Sequence, residues 1–326
     1  MAERAPNIRD VAARAGVSYQ TVSRVLNDSP AIRPATRAGV LAAIEALGYR
    51  PNQAARALAT SRSRTIGVLS SQVSFYGPTT AITAIEQAAR TSGYRLSITT
   101  VTDDSIREGL EYLLSQGVEA IVVVAPQVQL LHAIASLQIG VPFVTLESTG
   151  DALHSLSIDQ VMGARLAVRH LVSLGHRRIL HLAGPQDWAE AQARLEGYRL
   201  ELADAALDPV IGDWTAQFGF DTGSRLLPSR DFTAVFAAND QMALGLLHAA
   251  RSLGLQIPAD LSVVGFDDIP EAAHFAPPLT TVRQDFAEVG RRAIARLLAE
   301  LSGDATEVVG TVPAALVVRD SAAALQ

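Results

Sequence analysis

From Thr65 onward, short runs of apolar, strand-forming residues alternate with helical stretches: TIGVLSS, RLSITTV, AIVVVA, VPFVTLE, RRILHLAG, AVFAAND and LSVVGFDD. A strand that is apolar on both faces needs cover on both, so such runs belong to parallel sheets flanked by helices. Seven units are too many for one compact nucleotide-type sheet, and 326 residues exceed the size, about 250 to 300, at which single cores stop growing. The pattern therefore predicts an α/β body of two doubly wound lobes. Ligands of such sheets gather beyond the carboxyl ends of the strands.

The first 64 residues follow another rule. Ile8, Val11, Ala12 and Ala15 recur at helical spacing, and Gly16 supplies a left-handed stop. Ser18 can cap a second helix from Tyr19 to Leu26, with Val22, Val25 and Leu26 inward and Tyr19, Gln20, Ser23 and Arg24 outward. Pro34 suits the first turn of a third helix, whose Val40, Ala43, Ile44 and Leu47 form a stripe before Gly48. Three short helices with a tight turn between the first two describe a helix-turn-helix. Ten arginines stand here against four acidic residues, although the whole chain has a net charge of −6. A basic arm on an acidic body suits contact with a polyanion, though a solvated basic face has the same composition. At the head of a helix laid in the major groove, Gln pairs with adenine, Arg with guanine, and Tyr reaches a base edge or a phosphate.

In the body, Asn239-Asp240 closes one strand run and Asp267-Asp268 another, Arg194 opens a helical stretch, and Gln284 and Asp285 follow LTTV. Together with Trp214 and Phe286 these residues would suit a polyhydroxylated ring: polar groups hold hydroxyls while aromatics cover the C–H face. Taken singly, an Asp after a strand is usually a helix cap, and Asp240 and Asp268 read first as caps. The chain has no cysteine, which removes disulfides, thiolate metal sites and a cysteine nucleophile. Its seven histidines show no HxxxH or HExxH spacing, no lysine is present to complete a phosphate loop, and no metal or cofactor is expected. The N-terminus carries no apolar signal run and no stretch is long enough to span a membrane, so a cytoplasmic, nucleoid-associated protein is expected.

IRDVAARAGVSYQTVSRVLN, followed by ALGYRPNQAARALATSRSRTIGVL, resembles the headpiece and hinge of the lactose-repressor (LacI/GalR) family of bacterial transcription regulators. The resemblance extends over almost the whole chain and close to the family's namesake. It implies base contacts from Tyr19, Gln20 and Arg24, with Ser18, Thr21, Ser23, Asn27 and Thr36 near phosphates. Arg33 departs from the small polar cap that relatives often carry there. The segment NQAARALA is too short to hold as an isolated helix, and read from its residues alone 52–63 is a polar linker. The family implies instead a hinge helix from each subunit that pairs in the minor groove, with Asn52, Ala55, Arg56 and the wedge Leu58 at the DNA.

For the body the resemblance implies a two-lobe, periplasmic-binding-protein-like effector domain. The expected division is a headpiece at 1–51, a hinge and linker at 52–63, and an effector and dimerisation domain at 64–326. Within that domain one lobe takes about 64–159 and 286–313, the other about 160–285 and 314–326. Implied effector contacts are Arg194, Asn239, Asp267, Trp214, Phe286 and Gln284, with Ser71, Phe75 and Pro78 from the N-terminal lobe. Val124, Glu147, Trp188 and Glu190 replace an asparagine, an aspartate and two serines of the namesake; Glu147 and Trp188 join the expected site, and the namesake's inducer is put in doubt. The function implied is a sequence-specific repressor of a pseudo-palindromic operator, controlled allosterically by a small sugar that acts as inducer. A corepressor-dependent regulator is the alternative within the family. A periplasmic-type sugar-binding protein and a glycoside hydrolase using Asp267 and Glu147 are further alternatives, but a transport receptor would need an export signal and a hydrolase has no use for a helix-turn-helix. After LVVRDS only AAALQ follows, without leucine heptads, so a homodimer without a tetramerisation helix is expected.

Overall fold

The computed structural model describes residues 6–26, 29–50, 62–71, 74–146, 154–304 and 311–325, which fall in two units, Met1–Ser63 and Arg64–Gln326. The first unit contains α1 (Ile8–Ala15), α2 (Tyr19–Leu26) and α3 (Pro34–Leu47). A reciprocal capping box opens α1: the Asn7 side chain accepts from the Asp10 amide while the Asp10 carboxylate accepts from the Asn7 amide at 2.8 Å. Gly16, at φ 64°, closes it, and Pro34 starts α3 behind an Arg33 whose side chain makes no cap bond. Val11, Ala12, Val22, Val25, Val40 and Ala43 form the small core on which the three helices pack.

In the second unit the chain alternates β1 (Thr65–Ser70), α4 (Tyr76–Thr91), β2 (Arg95–Thr100), α5 (Ile106–Ser115), β3 (Ala120–Val124), α6 (Val128–Ala135) and β4 (Phe143–Thr145). These strands make a parallel sheet of order β2-β1-β3-β4. The period of two sorts its side chains: Ile66, Val68, Ala120, Val122 and Val124 enter one cluster, while Leu69, Ile121 and Val123 enter the other.

The chain then continues through α7 (Gln160–Ser173), β5 (Ile179–Ala183), α8 (Ala189–Leu202), β6 (Val210–Ile211), α9 (Ala216–Leu226), β7 (Ala234–Ala237), α10 (Asp240–Ser252) and β8 (Ser262–Val264). This second parallel sheet has the order β6-β5-β7-β8, again with an apolar cluster on each face. β9 (Thr281–Arg283) and β10 (Ala315–Val317) pair antiparallel beside it, and α11 (Phe286–Ser302) returns to the first lobe. There α11 lies so close to α4 that a side chain at Gly290 would stand 2.6 Å from the Ala84 backbone.

Three segments therefore pass between the lobes. Ile158 packs in the first lobe and Val168 in the second; β9 leads into α11; and Val312 packs in the first lobe while Leu316 packs in the second. The parallel bridge Ile158↔Val312 lies between the first and third of these passages.

Candidate functional site

The loops at the carboxyl ends of both sheets enclose a cavity of about 310 Å³ between the lobes. This is within the range of small-molecule sites, which start near ~300 Å³. Its wall is aromatic on several sides. Trp188 meets Phe75 edge-on at 5.2 Å and Trp214 at 5.6 Å, and Tyr76 meets Phe286 at 6.3 Å. Trp214 adopts φ 72°, a backbone conformation unusual for a bulky residue, and is backed by Gly184, where a Cβ would overlap its indole. The indole N–H of Trp214 is buried and has no hydrogen-bond partner among the described residues.

The floor is polar and almost closed to water. Arg194, on α8, donates from Nε to Gln160 Oε1 at 2.9 Å; Gln160 Nε2 donates to Gln284 Oε1 at 2.8 Å; Gln284 Nε2 donates to Asp267 Oδ1 at 2.7 Å. Arg194 Nη2 returns to Asp267 Oδ1 at 3.6 Å and closes the ring. The guanidinium lies over Phe266 at 3.9 Å and donates to the Ala238 carbonyl. Burial pushes Arg194 below its ordinary value, offset by Asp267, Glu190 and Asp240. Burial raises Asp267 to about 6, against the opposing pull of Arg194 and Gln284. Asn239 caps α10 through Met242 N at 2.9 Å and donates to the Trp214 carbonyl at 2.9 Å, fixing the unusual turn.

In the first unit, α2 turns Tyr19 (54% exposed), Gln20 and Arg24 to solvent, opposite the buried Val22 and Val25. Ser18 Oγ accepts the Thr21 amide at 3.1 Å and pairs with the Thr21 hydroxyl at 2.9 Å, leaving the helix start exposed and capped. Ser23 and Thr36 are half-buried.

Residues 7–52 match the family of bacterial regulatory proteins of the lacI type, and residues 168–322 match the periplasmic binding protein-like domain. The lactose operon repressor of Escherichia coli (strain K12) is 37% identical over 95% of this chain and 89% of its own length. The chain belongs to the lacI family. The HTH-type transcriptional regulator CelR of Thermobifida fusca is 36% identical over 98% of both chains. Among solved structures of the family, the lac repressor dimer bound to operator and the anti-inducer ONPF superposes with a TM-score of 0.87, at 35% identity, over 98% of this chain and 100% of that one. A CelR–cellobiose complex reaches 0.71 at 33% identity, over 97% and 99%. These lacI-family relatives are named as regulators and repressors, not as enzymes.

Of the effector contacts expected from the sequence, Phe75, Pro78, Trp188, Arg194, Trp214, Asn239, Asp267, Gln284 and Phe286 line the one cavity. Ser71 does not line it, because its hydroxyl is turned to Gln127 Oε1. Glu147, Asn27, Asn52, Ala55, Arg56 and Leu58 lie outside the described residues. Asp240 and Asp268 do not cap helices as expected from their place after strands. Asp240 accepts from Thr281 Oγ1 at 2.6 Å and Ile269 N at 2.9 Å, and Asp268 holds Arg283 and Arg319 at 2.6 Å each. Gln160 and Gln241 join the wall without having been singled out. Glu190 and Val124, noted only as departures from the family's namesake, are wall residues too.

Proposed function

We propose that this lacI-family chain is a repressor that reads a pseudo-palindromic operator with α2 and loses affinity for it when a small sugar fills the interlobe cavity. The observation that carries this reading is the meeting of Arg194, Asn239 and Asp267 with Trp188, Trp214 and Phe286 around one cavity, in a chain whose headpiece exposes Tyr19, Gln20 and Arg24. A sugar hydroxyl can donate to Asp267 while accepting from Arg194, and the ring's C–H face lies against indole and phenyl. The unpaired Trp214 N–H supplies one further donor for a ring or glycosidic oxygen.

The division of labour follows the expected boundaries: a reading headpiece at 1–51, a hinge at 52–63 and an effector and dimerisation domain at 64–326. Two headpieces act together on two half-sites, since each alone makes few contacts and most of its affinity is salt-sensitive phosphate neutralisation. A homodimer of cytoplasmic, nucleoid-associated protein supplies the two headpieces this reading requires, and it is expected to form no tetramers. Ser18, Thr21, Ser23, Asn27 and Thr36 face phosphates, and Asn52, Ala55, Arg56 and Leu58 meet the minor groove. Glu147 and Ser71 complete the effector contacts in this reading, Ser71 after its hydroxyl leaves Gln127.

Coupling is thermodynamic. A ligand preferring the lobe arrangement in which the hinges separate lowers operator affinity by its differential binding, of the order of ~1 to 3 kcal/mol or ~5- to 150-fold. The test uses the chain's two tryptophans, both in the cavity wall. Lactose, cellobiose, maltose, galactose, glucose and ribose are titrated while indole fluorescence and melting temperature are followed, and the active sugar is added to operator-binding assays on inverted-repeat DNA. Release of the DNA supports induction. Tighter binding identifies a corepressor. No response to any sugar, with no preference for inverted repeats over random DNA, refutes the reading.

A further inference from the structure

The charges that line the cavity do not balance. Among the described residues of its wall, one guanidinium, that of Arg194, stands against two carboxylates, Asp267 and Glu190. Arg194 is committed inside the protein, to Gln160 through Nε, to the Ala238 carbonyl through Nη1 and to Asp267 through Nη2. Asp267, at about 6, is mostly ionised at neutral pH, so its charge and that of Glu190 exceed what one guanidinium offsets. The excess reaches the opposite wall: the Tyr76 hydroxyl, on α4, is raised above its ordinary value by burial first and by the charge of Asp267 second. In a site poor in water, negative charge of this kind favours a ligand that brings a cation.

Hydrogen-bonding capacity has the same sign. Gln160 and Gln284 each spend an N–H and their oxygen on neighbours, and Asn239 gives its amide to the Trp214 carbonyl and Gln241 Oε1 and its oxygen to the Met242 amide. Gln284 and Arg194 both meet Asp267 on Oδ1. Carboxylates can only accept, and an ammonium, with three N–H groups and no lone pair, can only donate. One group asks for the reverse: the Trp214 N–H, on a residue 6% exposed, has no acceptor among the described residues. The ligand that suits this wall is therefore cationic at one place and bears an oxygen acceptor at another.

The aromatic wall adds a place for the cation. Trp214 already faces one, since Arg194 Cζ lies 5.5 Å from its ring centroid. Trp188 precedes α8 and Glu190 stands in its first turn, so one helix start brings a second indole and a carboxylate to the cavity. An indole face beside a carboxylate holds an organic ammonium through both the ring quadrupole and the charge.

We propose that the effector is an amino sugar whose ammonium is held by Glu190 beside Trp188, while a ring oxygen or hydroxyl accepts from the Trp214 N–H. This names the chemical class of the effector and rests on the reading of the cavity as an effector site. An acid in the first turn also suits the positive end of a helix, but that role alone changes stability and gives no preference among ligands.

Matched sugars that differ in the charged group separate these roles. The full-length chain is titrated by isothermal calorimetry near neutral pH with glucose, galactose and mannose, with glucosamine, galactosamine and mannosamine, and with the N-acetyl form of each amine. Cellobiose is set against its diamino counterpart, the glucosamine dimer. Expected is about 10- to 150-fold tighter binding of one amine than of its hydroxyl and N-acetyl counterparts, the range for a hydrogen bond to a charged group. The Glu190→Gln variant is expected to bind all members of that set alike. Neutral sugars that bind the parent as tightly as the amines overturn the amino-sugar class and leave the effector cavity standing. A preference for the amine that survives Glu190→Gln, whether or not the melting temperature falls, overturns the assignment to Glu190. Should that variant fail to fold, Glu190→Asp, which keeps the charge and withdraws it by one methylene, is expected to weaken binding of the amine alone, and unchanged affinity overturns the assignment. Binding of neither kind of sugar overturns both this proposal and the reading it rests on.

Discussion

Asp267 makes the cavity sensitive to pH in a direction opposite to that of most carboxylates. It is buried, with one amide donor at 2.7 Å and its arginine at 3.6 Å, and burial outweighs both, lifting it from 3.8 to about 6. In the unfolded chain the group ionises near the ordinary value, so between pH ~4 and ~6 the folded protein holds a proton that the unfolded chain has lost. Stability from this residue is therefore intact at the acid end of that window and falls as pH rises through it. About two units at ~1.4 kcal/mol each gives roughly 3 kcal/mol. For a domain of this size that corresponds to about 6 to 12 °C in melting temperature. Asp240 acts in the same sense, since burial first and the charge of Asp267 second raise it well above the usual range.

The assay compares melting temperature against pH for the parent and Asp267→Asn. Groups remote from the cavity bend both curves alike: Glu201, held below its ordinary value chiefly by its hydrogen bond with Arg169, costs stability as pH falls. The difference between the curves reports Asp267 together with its coupling to Asp240, and the parent is expected to lose ground on the variant as pH climbs from 4 to 7. A hydroxyl donated to the carboxylate favours its ionised form, so sugar binding near pH 6 should also release up to about half a proton per site, measurable by calorimetry in buffers of different ionisation enthalpy. Parallel melting curves across that range would falsify the assignment of a desolvated carboxylate.

Gly184→Ala should expel the Trp214 indole from the wall, reducing the fluorescence response to sugar to the part carried by Trp188 while far-ultraviolet circular dichroism stays that of the parent. Arg24→Ala should weaken binding to the specific operator by ~1 to 3 kcal/mol and relax discrimination at one base pair; equal weakening on every sequence would reassign it to a phosphate. Leu58→Ala should lower operator affinity and leave sugar titrations unchanged, and unaltered affinity in a gel-shift assay would count against the wedge at the minor groove.

What the sequence made legible, and what it hid, divides along one physical line. Gly16, Pro34 and Gly48 mark helix ends because their backbone preferences act within a residue or two, and all three stand at the ends of observed helices. The strand runs were legible for the same local reason, and carboxyl-end residues such as Asn239 and Asp267 could be nominated because parallel sheets gather ligands there. Gln160 carried no such mark. A glutamine at a helix start is ordinary, and its partners are 34 and 124 residues away, joined only by the folding of three interlobe passages. Asp240 misled for the complementary reason: an aspartate after a strand suggests a cap, yet Asn239, one residue earlier, takes the cap bond and leaves Asp240 to reach Thr281 across the lobe. Ser71 shows the same limit, since a hydroxyl at a strand end can face the cavity or a neighbouring side chain, and Gln127, 56 residues on, decides it. A polar side chain's role is thus fixed by which donor or acceptor meets it after the chain closes, as the bonds of Gln160 to residues 34 and 124 positions away show.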